Sequence, residues 1–98
     1  MHIKIHDSYR VIVALADTDL IGKRFEEDNK QIEIRENFFR GEEKSKKEIV
    51  KILKDMQKED ATFNIVGKES VAAALEAGII KQEGIFTIDN IPIALVLM

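Results

Sequence analysis

The chain has no cysteine and no tryptophan, one proline and one tyrosine. Without thiols there are no disulfide staples, thiolate nucleophiles or cysteine-ligated zinc or iron–sulfur centres, so packing alone must hold the fold. Long apolar runs are lacking too. The longest, Ile93 to Met98, is far below the ~20 residues of a membrane span, and the first residues carry charge where a secretory signal needs apolar length. The expectation is a cytoplasmic protein that does not engage membrane. A dominant charge of one sign is also missing: 15 Lys and Arg against 18 Asp and Glu give a net charge of −3. That is not the field of a general nucleic-acid binder, and only a local basic patch can serve such a role.

What is present is a chain of 98 residues, 45% hydrophobic and 34% charged, with fifteen isoleucines and eleven each of Glu and Lys. Such a length supports one domain over residues 1–98, with one core and no deep two-lobed cleft. The branched apolar residues and abundant paired charge resemble thermophile composition.

His2–His6 alternates, with Ile3 and Ile5 on one side and His2, Lys4 and His6 on the other, as a half-buried strand requires. After a turn-prone link at Asp7, Ser8 and Tyr9, the continuously apolar Val11–Ala16 reads as a central strand closing an N-terminal hairpin. Thr18 is expected to cap a short helical turn ended by Gly22. Gln31–Arg35 alternates again. Over Glu42–Glu59 the period becomes helical, with Ile49, Ile52, Leu53 and Met56 on one stripe. Phe63, Ile65 and Val66 form a buried strand that ends in Gly67, and Ser70–Ala77 is an Ala-rich helix ended by Gly78. Ile85–Ile88 and Ile91–Leu97 form a C-terminal hairpin about Asp89 and Asn90, two residues that tolerate positive φ, with Pro92 at the start or edge of the last strand. Glu26–Lys30 and Arg40–Lys47 read as polar loops. The order predicts an α/β domain: a mixed sheet flanked by two main helices.

Few residues suit catalysis. His2 and His6 lie ~13 Å apart on a strand and cannot share a metal ion. Ser45 and Ser70 have no histidine nearby in sequence, and Asp17 and Asp19, at the end of a buried strand, are accounted for as helix caps. No catalytic residue, metal or cofactor is assigned. Gly22-Lys23 and Gly67-Lys68 each look like the end of a phosphate-binding loop, but Asp17 and Thr62 stand where the first glycine belongs, and neither lysine precedes Ser or Thr. The helix start after Gly67 still offers amides and a dipole to an anion, which makes Asn64, Gly67 and Lys68 a candidate phosphate site; the plainer alternative is a tight turn that needs glycine. Lys44, Lys47, Lys51, Lys54 and Lys58 recur at spacings of three and four, forming a basic stripe that can follow a phosphate backbone. The plainer reading of that stripe is a solvated face laced by pairs such as Glu43 with Lys47, Lys44 with Glu48 and Lys51 with Asp55.

Four segments, Asp17-Thr18-Asp19-Leu20-Ile21-Gly22-Lys23-Arg24-Phe25, Phe38-Phe39-Arg40-Gly41, Asn64-Ile65-Val66-Gly67 and Ile91-Pro92-Ile93-Ala94, resemble in order and spacing the signatures of domain of unknown function family 424. The resemblance implies a small archaeal cytoplasmic protein and transfers no activity. Ile93 and Phe39 depart from it, standing where the family pattern has His and Tyr. Within these segments Lys23, Arg24 and Arg40 lie beside anchored loop residues, and together with Asn64 they are expected to border a surface for a phosphate-bearing or acidic partner.

The resulting expectation is a non-enzymatic binding module with a protein or RNA partner, in translation or RNA metabolism. The alternative is a small-ligand or nucleotide-phosphate-binding protein using the helix start after Gly67, with or without weak enzymatic activity. Homodimer formation through the C-terminal strand is expected if that strand lies at a sheet edge.

Overall fold

The computed structural model describes residues 1–97. Eight strands and three helices follow one another as β1 (His2–Asp7), β2 (Val11–Ala16), β3 (Arg24–Glu27), β4 (Lys30–Glu33), α1 (Glu36–Phe39), β5 (Glu42–Glu43), α2 (Lys46–Lys58), β6 (Thr62–Val66), α3 (Lys68–Ala77), β7 (Ile85–Ile88) and β8 (Ile91–Val96), with a 3-10 turn at Thr18–Leu20 and another at Gln82–Gly84. Six strands form one mixed sheet in the order β5-β1-β2-β6-β8-β7, and β3 and β4 form a separate hairpin. The β2–β6 pair is parallel and its crossover carries α2; the remaining neighbours in the sheet are antiparallel. This is the α/β mixed sheet that the sequence predicts.

Strand alternation gives the sheet two faces with different covers. Ile3, Val13, Leu15, Phe63, Ile65 and Ala94 point to one face and pack against Ile49, Val50 and Leu53 of α2 and Val71, Ala73, Ala74 and Ala77 of α3. Both main helices therefore lie on the same side rather than on opposite sides. Ala14, Ala16, Val66, Ile88 and Ile93 point the other way, beneath Leu20, Ile21, Ile34 and Phe39, with Phe25 and Ile32 of the hairpin packed against them. Sandwiched between covers, Val13–Ala16 has no exposed surface, as expected of a central strand.

Several local expectations change. Ile91–Val96 pairs with β6 on one side and with β7 on the other, so the open edge on that flank is Ile85–Ile88, and pairing with a second copy through Ile91–Ala94 is not available. Glu26–Lys30 is no loose loop: it belongs to the β3–β4 hairpin, whose turn has Asp28 at φ 55°. The segment Arg40–Lys47 holds β5 and the first turn of α2. That helix starts at Lys46 rather than Glu42, because Ser45 is its N-cap in a reciprocal capping box with Glu48. Thr18 caps nothing; Asp17 precedes the 3-10 turn without a local side-chain cap, and the Thr18 hydroxyl donates to Glu43 at 3.2 Å. The turn at Asp89 and Asn90 does take positive φ at both residues, 51° and 65°.

Candidate functional site

The end of β2 and the start of α3 meet at Asp17. Its carboxylate, buried at 7% exposure, reaches across to the first turn of α3: Oδ1 accepts from the amide (2.8 Å) and hydroxyl (2.7 Å) of Ser70, and Oδ2 accepts from the amide of Glu69 (3.1 Å). Asp17 thus caps a helix more than fifty residues away, satisfying donors that a helix start otherwise leaves open and placing negative charge at the positive end of the dipole. Gly67 is required at this junction. Its φ is +111°, and a Cβ there would collide with the Asp17 carboxylate.

This arrangement changes the anion reading. The Glu69 and Ser70 amides expected to cradle a phosphate already hold Asp17. Asn64 also lies on the wrong side: its neighbours Phe63 and Ile65 face the helices, so its own side chain faces the hairpin layer. Asn64 therefore does not join Gly67 and Lys68. Lys68 instead meets other cations. It lines a cleft of about 510 Å³ with Lys44, Ser45, Lys46, Glu69, Ala72 and Met1, at the adjacent starts of α2 and α3. Lys44 bridges to Glu42 at 3.4 Å and Glu48 at 4.0 Å, and Lys46 to Glu76 at 3.5 Å.

The rest of the basic stripe lies along α2. Lys44 precedes the helix, while Lys47, Lys51, Lys54 and Lys58 are exposed on the side opposite buried Ile49, Val50 and Leu53. Of the three intrahelical ion pairs expected, Lys44–Glu48 closes; Lys47, Lys51, Lys54 and Lys58 have no ion-pair partner among the described residues. Glu48 is also engaged with Ser45, whose backbone amide and hydroxyl donate to it at 3.2 and 3.0 Å and hold its carboxyl below the usual range.

The proposed surface of Lys23, Arg24, Arg40 and Asn64 divides into separate local arrangements. Arg40 donates to both oxygens of Glu36 at 2.8–3.0 Å, lowering the Glu36 pKa and raising its own. Glu36 also stands against Gly22, which brings Arg40 near the Gly22-Lys23 turn. Arg24 is held on the hairpin by Glu26 and Gln31. Asn64 is a half-buried sheet residue between Ala14 and Leu95.

His2, Lys4 and His6 share the hairpin-side face of β1 and reach backbone oxygens around α1: Gly41 (3.0 Å), Asn37 (2.7 Å) and Phe38 (2.9 Å). His6 also stacks on the Phe38 ring, with centroids 4.6 Å apart. Carbonyls left open at a helix C-terminus are thereby satisfied by side chains. Among the described residues no cluster of His, Asp and Glu has the arrangement of a metal site, and no helix is long and apolar enough to cross a membrane.

The family model for "Protein of unknown function (DUF424)" matches residues 5–98. The chain belongs to the DUF424 family. No curated protein matches it. Among solved structures, the crystal structure of an uncharacterized conserved protein from Methanopyrus kandleri is similar, with a TM-score of 0.87 at 21% identity over 97% of this chain and 88% of that one. The likeness establishes a shared fold. Within this DUF424 chain Phe39 and Ile93 are buried in the hairpin-side cluster at 5% and 1% exposure, where they serve packing.

Sequence reasoning missed Lys46 as a cleft residue and Asp17 as the cap of α3. The Ser45-x-x-Glu48 box was a signal for the first, since it fixes the helix start and sets Lys46 in its opening turn. The second had no local signal, because a cap from a distant strand leaves no spacing to read.

Proposed function

We propose that this chain is a non-enzymatic binding module of an archaeal cytoplasmic assembly, recognising RNA through the phosphate backbone. The observation that carries the reading is the row Lys47, Lys51, Lys54 and Lys58: four exposed ammonium groups on one helix face, without an ion-pair partner among the described residues although acidic residues are plentiful. A helix rises 1.5 Å per residue, so the row extends for roughly 16 Å. Lysines in such a row neutralise successive phosphates and release counterions, giving attraction that a net charge of −3 does not supply globally. The archaeal setting is supported by the Methanopyrus neighbour. The expected result is a salt-sensitive gel shift with single-stranded RNA that is abolished in a Lys47→Glu, Lys51→Glu, Lys54→Glu triple variant. These positions are exposed, so the fold is retained. Absence of any shift at low salt would remove the reading.

A second reading is favoured by one specific observation, the cleft that gathers Lys44, Lys46 and Lys68 between two helix starts. It suits a small phosphate-bearing ligand held by ammonium groups rather than by the amides that Asp17 occupies. Phosphate titration should then move the amide resonances of Lys44–Lys46 and Lys68 at millimolar concentration. Unmoved resonances would end it.

A further inference from the structure

The lysine row has a continuation that comes from another part of the chain. Tyr9 is the single tyrosine of a protein without tryptophan. It sits in the β1–β2 turn with its side chain entirely in solvent, at 104% of reference exposure. Turn positions are ordinarily filled by small or polar residues chosen for backbone angles, and a ring facing water adds nothing to either core cluster. Tyr9, Arg10 and Val11 line a cleft of about 570 Å³ together with Glu59 and Asp60. Glu59 and Asp60 directly follow Lys58, the last lysine of the row. The fold therefore places an exposed aromatic ring beside the residues that follow α2, supplying a ring that the local sequence around α2 lacks.

The chemistry of this corner changes along its length. The four lysines attract phosphates. At the ring the charge becomes mixed, because Glu59 and Asp60 line the cleft together with Arg10, and carboxylates there accept hydrogen bonds from exocyclic amino groups. A neutral base bearing an amino group suits that end: its π-face stacks on the phenol and its edge meets the acids. An acidic peptide satisfies the lysines but not the two carboxylates beside the ring. We infer that Tyr9 is the base-stacking residue of a single-stranded RNA site in which the α2 lysines follow the backbone and Glu59 and Asp60 receive the amino edge of the stacked base. This rests on the phosphate-backbone reading above and adds to it a contact with a base.

Tyr9 makes its own test, because it is the chain's one strong intrinsic fluorophore. Titration with a short single-stranded oligocytidylate should quench its fluorescence. Inorganic polyphosphate should bind in a salt-sensitive way without quenching. Replacing Tyr9→Ala should weaken oligocytidylate binding about tenfold, within the range for loss of one stacked base, and leave polyphosphate binding unchanged, while Tyr9→Phe should retain the affinity. Binding of oligocytidylate without quenching, or with affinity unaltered in Tyr9→Ala, would overturn the stacking assignment and leave the lysine reading intact. Failure of both polyanions to bind would overturn the lysine reading and the stacking assignment together.

Discussion

One sheet has two covers, and they are held down by different forces. On the helix side the contact is continuous apolar packing, with Leu15, Ile49, Leu53, Phe63 and Ile65 at or below 1% exposure. On the hairpin side there is a smaller apolar cluster, and its margins are secured by polar links. These are the β1 side chains on the carbonyls of α1, the Arg40–Glu36 pair, and Glu27 accepting from the Asp89 amide at 2.7 Å. Apolar packing resists local opening because it is lost all at once, whereas exposed polar links open singly at small cost. The helix side thus behaves as the scaffold, and it carries the proposed binding row on its outer surface.

Emptying the scaffold has the largest expected effect. Phe63→Ala leaves a cavity between β6 and the helices and should lower global stability by about 3 to 5 kcal/mol, read by denaturant unfolding. A cost below about 1 kcal/mol would mean that the helix side collapses freely and is no scaffold. Next is the junction. Asp17→Ala removes three hydrogen bonds from the start of α3 and leaves buried donors, at a cost of about 2 kcal/mol, with exchange protection lost first at Glu69 and Ser70. Stability unchanged in that variant would show that water replaces the cap, and would reopen the amides to an anion. The smallest effect belongs to the latch. His6→Ala should cost about 1 kcal/mol or less and should raise amide exchange around Phe38–Gly41 without altering that of α2. Equal loss of protection on both faces would break the distinction.

The same contrast explains what could be read from sequence. The helix side announces itself: α2 has helical apolar spacing, α3 is alanine-rich, β2 is a continuous apolar run, and Phe63, Ile65 and Val66 mark β6, because most buried positions there hold a hydrophobic residue. The hairpin of β3 and β4 contributes only Phe25 and Ile32 to the core, a single cross-strand pair, so its other positions are polar: β4 was legible through the alternation over Gln31–Arg35, whereas Glu26–Lys30 looks like a loop. Its Asp28–Asn29 turn has the same chemistry as the Asp89–Asn90 turn, which was legible because isoleucines flank it. The four-residue α1 is too short for any period. At the candidate site the lysine row was visible as spacing. The cleft of Lys44, Lys46 and Lys68 and the one that Tyr9 shares with Glu59 and Asp60 were not, since each joins segments distant in sequence.

The proposed binding of a nucleic-acid backbone by the outward row of α2 lysines is tested by the salt dependence of RNA binding. Neutralising about four phosphates on a single strand predicts that the logarithm of the association constant falls against the logarithm of salt concentration with a slope of about −3, and that the triple charge reversal at Lys47, Lys51 and Lys54 abolishes binding. A slope near zero, or binding untouched by the reversal, would contradict it.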